Sequence, residues 1–316
     1  MNVAERPEVP EVREFAARLE MLPEPLALKA RALRRELEKL ARPAGGFALA
    51  YSGGLDSRFL AFFASSLGVP VRLLHVTGPH VPETESRAAL ESARAMGFEC
   101  VERIENFDEV RGRFDRTIEL LALDPLTNDA IFTSGTDRCY VCKSTLFRAL
   151  KDRAAPLPLA DGTNASDLGV YRPGLRALRE LGIHSPLADA NVAKDEIRAL
   201  GRALGFADPE QAARPCLLTR YPYGVRPTHE ELALLAEAEA LLEAHPAREG
   251  RGFRLRRPEA TRTLLQLDAG GNAEGARAAL EVLLAALTET FGERLPGLTG
   301  EVTGRVSGWF DRKRES

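Results

Sequence analysis

Apolar residues recur every three or four positions near the start of the chain: Phe15, Leu19 and Leu22, then Leu26, Leu33, Leu37 and Leu40, interrupted by Pro23 and Pro25. This spacing predicts two amphipathic helices separated at the prolines. Pro43-Ala44-Gly45-Gly46 ends the pattern, and the continuous apolar run from Phe47 to Tyr51 follows, as a strand covered on both faces requires. Beyond a loop from Ser52 to Asp56, the pattern predicts a helix reaching Leu67-Gly68 and a second buried strand from Val71 to Val76. A helix from Glu83 to Met96, ended by Gly97, and a third strand near Cys100 to Ile104 come next. The alternation resumes with a strand from Leu157 to Ala160 and a helix from Lys194 to Leu204 closed by Gly205. Strands alternating with helices of this length predict βαβ crossovers, hence an α/β fold built on a doubly wound, mostly parallel sheet.

After Thr228 the pattern changes. A long helix from Glu230 to Ala244, a basic strand-like stretch from Gly252 to Arg257, a helix from Ala273 to Phe291 and a glycine-rich tail predict a smaller α+β region. The expected organisation is a helical N-terminal extension over 1–45, a nucleotide-type α/β domain over 46–210 and a C-terminal domain over 211–316 that binds substrate and mediates oligomerisation. The 316 residues, 44% hydrophobic and 28% charged, describe a globular protein with a core of its own. Lys and Arg number 43 against 46 Asp and Glu, so no global positive field exists to hold a nucleic-acid backbone. No apolar stretch approaches the ~20 residues of a membrane span. The first ten residues have no secretory pattern, which places the chain in the cytoplasm, with Cys100, Cys139, Cys142 and Cys216 as thiols or ligands rather than disulfides.

Ser52-Gly53-Gly54-Leu55-Asp56-Ser57 stands between a predicted buried strand and a helix, where open α/β sheets bind ligands. The two glycines permit a tight turn and a close approach of backbone N–H groups to an anion. Ser52 and Ser57 add hydroxyls, and Asp56 is positioned to cap the helix or to hold Mg²⁺ near phosphates. The loop has neither the lysine of GxxxxGK[ST] nor the spacing of GxGxxG. A turn merely capped by Ser and Asp is the structural alternative.

Asp137-Arg138-Cys139-Tyr140-Val141-Cys142-Lys143 contains a CxxC, and Arg214-Pro215-Cys216 supplies a third thiol far along the chain. A CxxC alone is a redox pair, half of a zinc site or two residues of a helix, and nothing nearby completes a four-ligand zinc set. Three thiolates suit a cluster with one open iron. Each of the three cysteines has Arg or Lys within a few residues, which favours the thiolate, whereas Cys100, in a predicted strand, is expected to be a buried apolar thiol. The five histidines have no metal-site spacing, and the single Trp309 is expected to be a packing anchor.

The loop resembles the SGGxDS loop of the PP-loop ATP pyrophosphatases within the adenine nucleotide alpha hydrolase (HUP-like) superfamily. From Phe47 to about Gly224 the chain also resembles one family of that group, the LarE-type ATP-dependent sulfur transferases that act on pyridinium-3,5-biscarboxylic acid mononucleotide in nickel-pincer nucleotide synthesis. The resemblance rests on the loop, on Asp137 to Lys143, Asp161-Gly162-Thr163-Asn164, Tyr171-Arg172-Pro173-Gly174-Leu175 and Lys194-Asp195-Glu196-Ile197-Arg198. It continues through Arg214-Pro215-Cys216 to Thr219-Arg220-Tyr221-Pro222-Tyr223-Gly224.

This resemblance implies that ATP, with Mg²⁺, adenylates a substrate carboxylate with loss of pyrophosphate, and that sulfur is then delivered to form a thiocarboxylate. Ser52, Gly53, Gly54, Asp56 and Ser57 would hold the pyrophosphate, assisted by Lys143. The sulfur would come from a [4Fe–4S] cluster on Cys139, Cys142 and Cys216, the favoured source because all three are present, or from Cys216 itself, which would become dehydroalanine. Arg220, and Arg254 with Arg256 in Phe253-Arg254-Leu255-Arg256, would bind the substrate's anionic groups, although Arg257-Pro258-Glu259-Ala260-Thr261 departs from the longer strand pair of the family. A small nucleotide substrate and a homo-oligomer are implied, with neither nucleic acid nor membrane as a partner. The alternatives are a cluster-dependent transfer-RNA thiolase of the same superfamily and an adenine-nucleotide-binding protein without turnover.

Overall fold

The computed structural model describes residues 10–101, 115–169 and 173–312. In chain order its elements are α1 (Val12–Glu20), α2 (Glu24–Ala41), β1 (Phe47–Ala50), α3 (Leu55–Ser66), β2 (Val71–Thr77), α4 (Glu83–Ala95), β3 (Glu99–Val101) and β4 (Thr117–Ala122). There follow α5 (Asp129–Thr133), α6 (Arg138–Ala154), β5 (Leu159–Ala160), α7 (Ala165–Leu168), α8 (Pro173–Glu180), α9 (Pro186–Asp189) and α10 (Lys194–Leu204). The last are α11 (His229–Ala244), β6 (Phe253–Glu259), β7 (Arg262–Asp268), α12 (Ala273–Phe291), β8 (Leu298–Thr303) and α13 (Trp309–Arg312).

The chain groups into two compact units. The first comprises Met1–Thr77, Glu85–Leu123 and Cys139–Arg214. Its five strands run in the order β3-β4-β2-β1-β5, and every pairing is parallel. The expected α/β class with a doubly wound parallel sheet is therefore what the chain forms. Because β1 leads to β2 on one side and pairs with β5 on the other, the strand order reverses at β1 and β5. Loops leaving the carboxyl ends of these two strands flank the position where such sheets bind ligands.

The predicted N-terminal helices form, broken at Pro23, and they belong to the core of this unit. Phe15 of α1 is fully buried and meets Phe62 and Phe63 of α3 edge-on, at centroid distances of 5.8 and 5.4 Å. Helix α3 is thus covered on all sides, which explains why its sequence is apolar around the whole circumference. Helix α10 ends at Gly205 in the left-handed conformation, φ +80°, and Arg18 of α1 donates to the Leu204 carbonyl there at 2.6 Å.

Here one expectation is corrected, one strand of the sheet is added, and part of one predicted strand falls outside the described residues. Strand β4 was not evident in the sequence, because it is only six residues long, its buried half includes Thr117 and Glu119, and its second half is partly exposed. Cys100 is exposed rather than buried: β3 is a three-residue edge strand paired only with β4. The portion of the third predicted strand beyond Val101 lies outside the described residues, as do Tyr171 and Arg172.

The second unit comprises Gly78–Thr84, Asp124–Arg138 and Pro215–Ser316. Its sheet, β6-β7-β8, is antiparallel between β6 and β7 and parallel between β7 and β8. The glycine-rich tail contains β8, where Gly300 leaves room for α12: a Cβ there would stand 2.8 Å from Leu280 Cδ1. The basic stretch does form a strand pair, with a register shift between Arg256 and Glu259 that absorbs Pro258. Trp309 is buried, as a packing anchor should be. No helix among the described residues is long and apolar enough to cross a membrane.

One buried ionic cluster and one buried histidine carry consequences for stability. Inside the first unit, Glu119 of β4 receives hydrogen bonds from Arg72 of β2 and Arg153 of α6, with Arg72 and Glu119 almost wholly buried. Replacing Glu119 with Ala strands two guanidinium groups without their counter-charge and is expected to lower the unfolding free energy by about 3–5 kcal/mol, measurable by urea titration. In the second unit His80 is 4% exposed, and burial pushes its imidazole down to about 4. Between the ordinary histidine value near 6.5 and about 4, the unfolded chain binds a proton that the folded chain does not. Stability is therefore expected to fall as pH drops through that window, by up to about 3 kcal/mol, and His80→Gln to flatten this part of the pH–stability curve.

Candidate active site

The loop from Ser52 to Ser57 joins β1 to α3. Gly53 adopts φ +75°, and a Cβ on it would stand 2.4 Å from Ala89 Cβ of α4, so glycine is required twice over. Gly54, not Asp56, is the N-cap of α3, and it supplies no side-chain cap. The first intrahelical bond runs from Arg58 N–H to the Gly54 carbonyl, so the amides ahead of it in the first turn have no acceptor within the helix. Ser52 Oγ stands 3.2 Å from Ser57 Oγ and accepts from Gly54 N–H at 3.3 Å. The result is a concave run of N–H and O–H donors at the positive end of a twelve-residue helix, which suits a polyanion.

The loop after β5 closes against it. Gly162 packs so tightly on the start of α3 that a Cβ would lie 2.9 Å from Ser57 N. Asp161 holds this second loop in shape, accepting from Thr163 N–H at 3.1 Å, Thr163 Oγ1 at 2.5 Å and Ser185 Oγ at 2.7 Å. Asn164 caps α7 in a reciprocal capping box with Asp167. The DGTN motif thus serves backbone geometry beside the Ser52–Ser57 loop.

Side chains to which the sequence analysis assigned no role complete the site. Lys194, the first residue of α10, places Nζ 2.8 and 2.7 Å from the two carboxylate oxygens of Asp56. The loop, which has no lysine of its own, receives its cation from 138 residues away. Both oxygens of Asp56 face that ammonium, so Mg²⁺ would have to compete with Lys194 for the carboxylate. Gln211 donates to the Gly53 carbonyl at 3.0 Å. His75, at the end of β2, is 1% exposed and bridges the Tyr51 carbonyl, at 2.8 Å, and Ser86 Oγ of α4, at 3.1 Å. Burial holds its imidazole below the ordinary histidine range, so the neutral ring serves as a strut under the loop.

Cys139 and Cys142 lie on α6, one turn apart and on the same face; the first is half-buried and the second buried. Between them, Tyr140 lies 3.7 Å from the Arg176 guanidinium carbon and donates to Glu180 at 2.6 Å, clamping α8 to α6. Lys143 lies over Gly174 of α8, where a Cβ would come within 2.5 Å of its Cδ. Cys216 belongs to the second unit, half-buried at the head of a short turn over Leu217–Arg220. The thiols have the donor chemistry that an iron–sulfur cluster needs. Among the described residues, however, no group of three or more His, Cys, Asp or Glu side chains is arranged to hold a metal ion.

The arginines of the second unit are engaged within the protein. Arg220, 3% exposed, forks onto Glu239 at 2.7 and 2.8 Å and also donates to Thr219 Oγ1 and the Pro215 carbonyl. Arg256, equally buried, donates to Gln266 Oε1 and to the carbonyls of Thr219 and Val306. Arg254, two positions earlier in β6, is half-buried and donates to the Phe253 carbonyl at 2.5 Å. Arg138 donates to the Tyr221 and Pro222 carbonyls at 3.0 and 2.9 Å and lies 4.7 Å from the Tyr223 ring centroid. Two distant sequence motifs, Asp137 to Lys143 and Arg220 to Gly224, are joined by this arginine.

No protein-family model matches the chain. Over 198 residues it is 32% identical to the uncharacterized protein slr1717 of Synechocystis, spanning 61% of this chain and 67% of the other. It is 27% identical over 197 residues to the uncharacterized protein MJ0830 of Methanocaldococcus jannaschii, spanning 61% and 68% respectively. A third match, 29% identical over 222 residues and spanning 69% and 73%, is the pyridinium-3,5-bisthiocarboxylic acid mononucleotide synthase of Lactiplantibacillus plantarum. The chain thus belongs to the family of the Synechocystis protein slr1717 and is a homologue of a pyridinium-3,5-bisthiocarboxylic acid mononucleotide synthase.

Proposed function

We propose that this chain is an ATP-dependent sulfur transferase of nickel-pincer nucleotide synthesis. Its substrate would be a pyridinium biscarboxylate mononucleotide, adenylated at a carboxylate with release of pyrophosphate and then converted to a thiocarboxylate. The observation that carries this reading is the donor-lined glycine loop at the point where strand order reverses, in a homologue of a named synthase of the corresponding bisthiocarboxylic acid. In the adenylation step a substrate carboxylate oxygen bonds to the α-phosphorus, and the bond from that phosphorus to the oxygen bridging it to the β-phosphorus breaks. Charge then grows on pyrophosphate, where the N–H groups of the loop, the hydroxyls of Ser52 and Ser57 and the ammonium of Lys143 would stabilise it.

Asp56 would hold Mg²⁺ once Lys194 turns from the carboxylate to a phosphate oxygen. For the sulfur step the proposed thiols are Cys139, Cys142 and Cys216. Two of them already share a helix face, a disposition that suits cluster ligands. If a [4Fe–4S] cluster is held by these three, it would supply a sulfide taken up from an external sulfide source, and that sulfide would displace AMP from the acyl-adenylate to leave the thiocarboxylate.

Two outcomes are expected. Pyrophosphate release from ATP and the biscarboxylate nucleotide should be lost by at least a hundredfold in Gly53→Ala, because the added methyl collides with Ala89, while the melting temperature changes far less than activity. Lack of pyrophosphate release by the wild-type chain with this substrate would remove the reading. Anaerobically purified protein should contain about four irons per chain, absent in Cys142→Ala. An iron-free active protein whose Cys216 loses one H₂S on turnover, seen by peptide mass spectrometry, would instead make that residue the sulfur donor.

A further inference from the structure

The peptide between Gly53 and Gly54 is the pivot of the phosphate loop. Its carbonyl and its N–H lie in one plane and point in opposite directions, so whatever holds the carbonyl also aims the N–H. The Gly53 carbonyl accepts from Gln211 Nε2 at 3.0 Å. At the opposite edge of the peptide, Gly54 N–H donates to the Ser52 hydroxyl at 3.3 Å, a long bond that a phosphate oxygen would readily replace.

Gln211 is itself fixed in direction. Its Oε1 accepts from Arg58 Nη1 at 3.1 Å, and since a guanidinium can only donate, the amide must turn its Nε2 toward Gly53. Arg58, 7% exposed, is held by Ser92 Oγ at 2.8 Å, by the Ala207 carbonyl at 3.0 Å and over the Phe206 ring at 5.0 Å. A rigid cation therefore orients an amide, and the amide orients the loop peptide. All these residues belong to the first unit. Neither the loop motif nor the cysteine motif includes Gln211.

We propose that Gln211 is a positioning residue for nucleotide binding: by holding the Gly53 carbonyl it aims the Gly54 N–H at a phosphate of the bound nucleotide. This inference rests on the loop being the ATP site. Lost alignment of one such donor is worth roughly a factor of ten.

The test compares Gln211→Ala and Gln211→Glu in the full-length chain. ATP·Mg²⁺ and pyrophosphate affinities are measured by calorimetry at two ionic strengths, KM and kcat from pyrophosphate release, and melting by circular dichroism. Glutamate keeps the length of the side chain and offers Arg58 a carboxylate, but it has no N–H for Gly53. Both variants are expected to weaken ATP binding and raise its KM about tenfold with a smaller change in kcat. Gln211→Glu should melt no lower than wild type, and its defect should persist at the higher salt, where the effect of the added charge is screened. A merely structural role predicts the reverse: Gln211→Glu binding ATP like wild type, with Gln211→Ala losing melting temperature. That result, or wild-type affinity in both variants, overturns the proposal. A wild-type chain that binds neither ATP nor pyrophosphate overturns the loop assignment and this inference together, whereas normal wild-type binding with unaffected variants removes the positioning role alone.

Discussion

The close approach of backbone to backbone around the start of α3 is the constraint on which the rest of the site depends. At Gly53 a single added carbon would stand 2.4 Å from Ala89, and at Gly162 one would stand 2.9 Å from the Ser57 nitrogen. Real Cβ atoms do not come so near. These two hydrogens therefore let α4 and the loop after β5 press against the Ser52–Ser57 loop from separate directions. The loop gains a fixed shape without a side chain that would fill its concavity, which is what an anion cradle made of N–H groups requires. Around that cradle the protein places struts rather than flexible groups: neutral His75 under Tyr51, and the Arg58–Gln211 relay behind Gly53.

The same constraint explains why an N-terminal hairpin is part of the first unit. A helix whose first turn must stay put needs its far end held as well. Helix α3 is gripped by Phe15 on one side and Phe206 on another, with centroid distances from Phe206 of 5.7 Å to Phe59 and 5.3 Å to Phe62. Aromatic contacts of this kind combine large buried area with directional geometry. The leucine stripes of α1 and α2, opaque in function when read as sequence, resolve into core against α3 and α10.

Most of the fold was legible in the sequence because the decisive signals were long and regular. The period of α2 and the buried runs of β1 and β2 leave little choice, and Gly205 marks the end of α10 with a left-handed φ. Two short strands were not legible: β4 is only six residues long with its second half partly exposed, and β8 hides in a glycine-rich stretch where Gly300 makes room for Leu280. Burial of Cys100 was misjudged because residue type reports hydrophobicity and not whether a strand lies at an edge. In the site, the motif located the loop, since glycines at a strand-to-helix junction are a local signal. Lys194 stood in a quoted motif without a role and Gln211 in none, because what each does is non-local. They act 138 residues from Asp56 and 158 from Gly53, and nothing in their own neighbourhoods encodes those partners.

The basic residues divide by how firmly they are held, and this division bears on chemistry. Arg138, Arg220 and Arg256 are nearly buried, and each guanidinium is anchored to several fixed acceptors. A planar fork so engaged is costly to redirect, because leaving a buried donor unsatisfied forfeits its full desolvation. These contacts fix Arg138 against the Tyr221 and Pro222 carbonyls and Arg220 against Glu239 of α11. Lys194 differs: its side chain retains 28% exposure, and its ammonium faces a carboxylate that is itself partly open to water. A point charge on a flexible stem, paired where solvent screens the pair, exchanges one anion for another at little cost. If phosphate charge enters the loop, Lys194 is placed to move with it, while the arginines hold the frame against which that movement occurs.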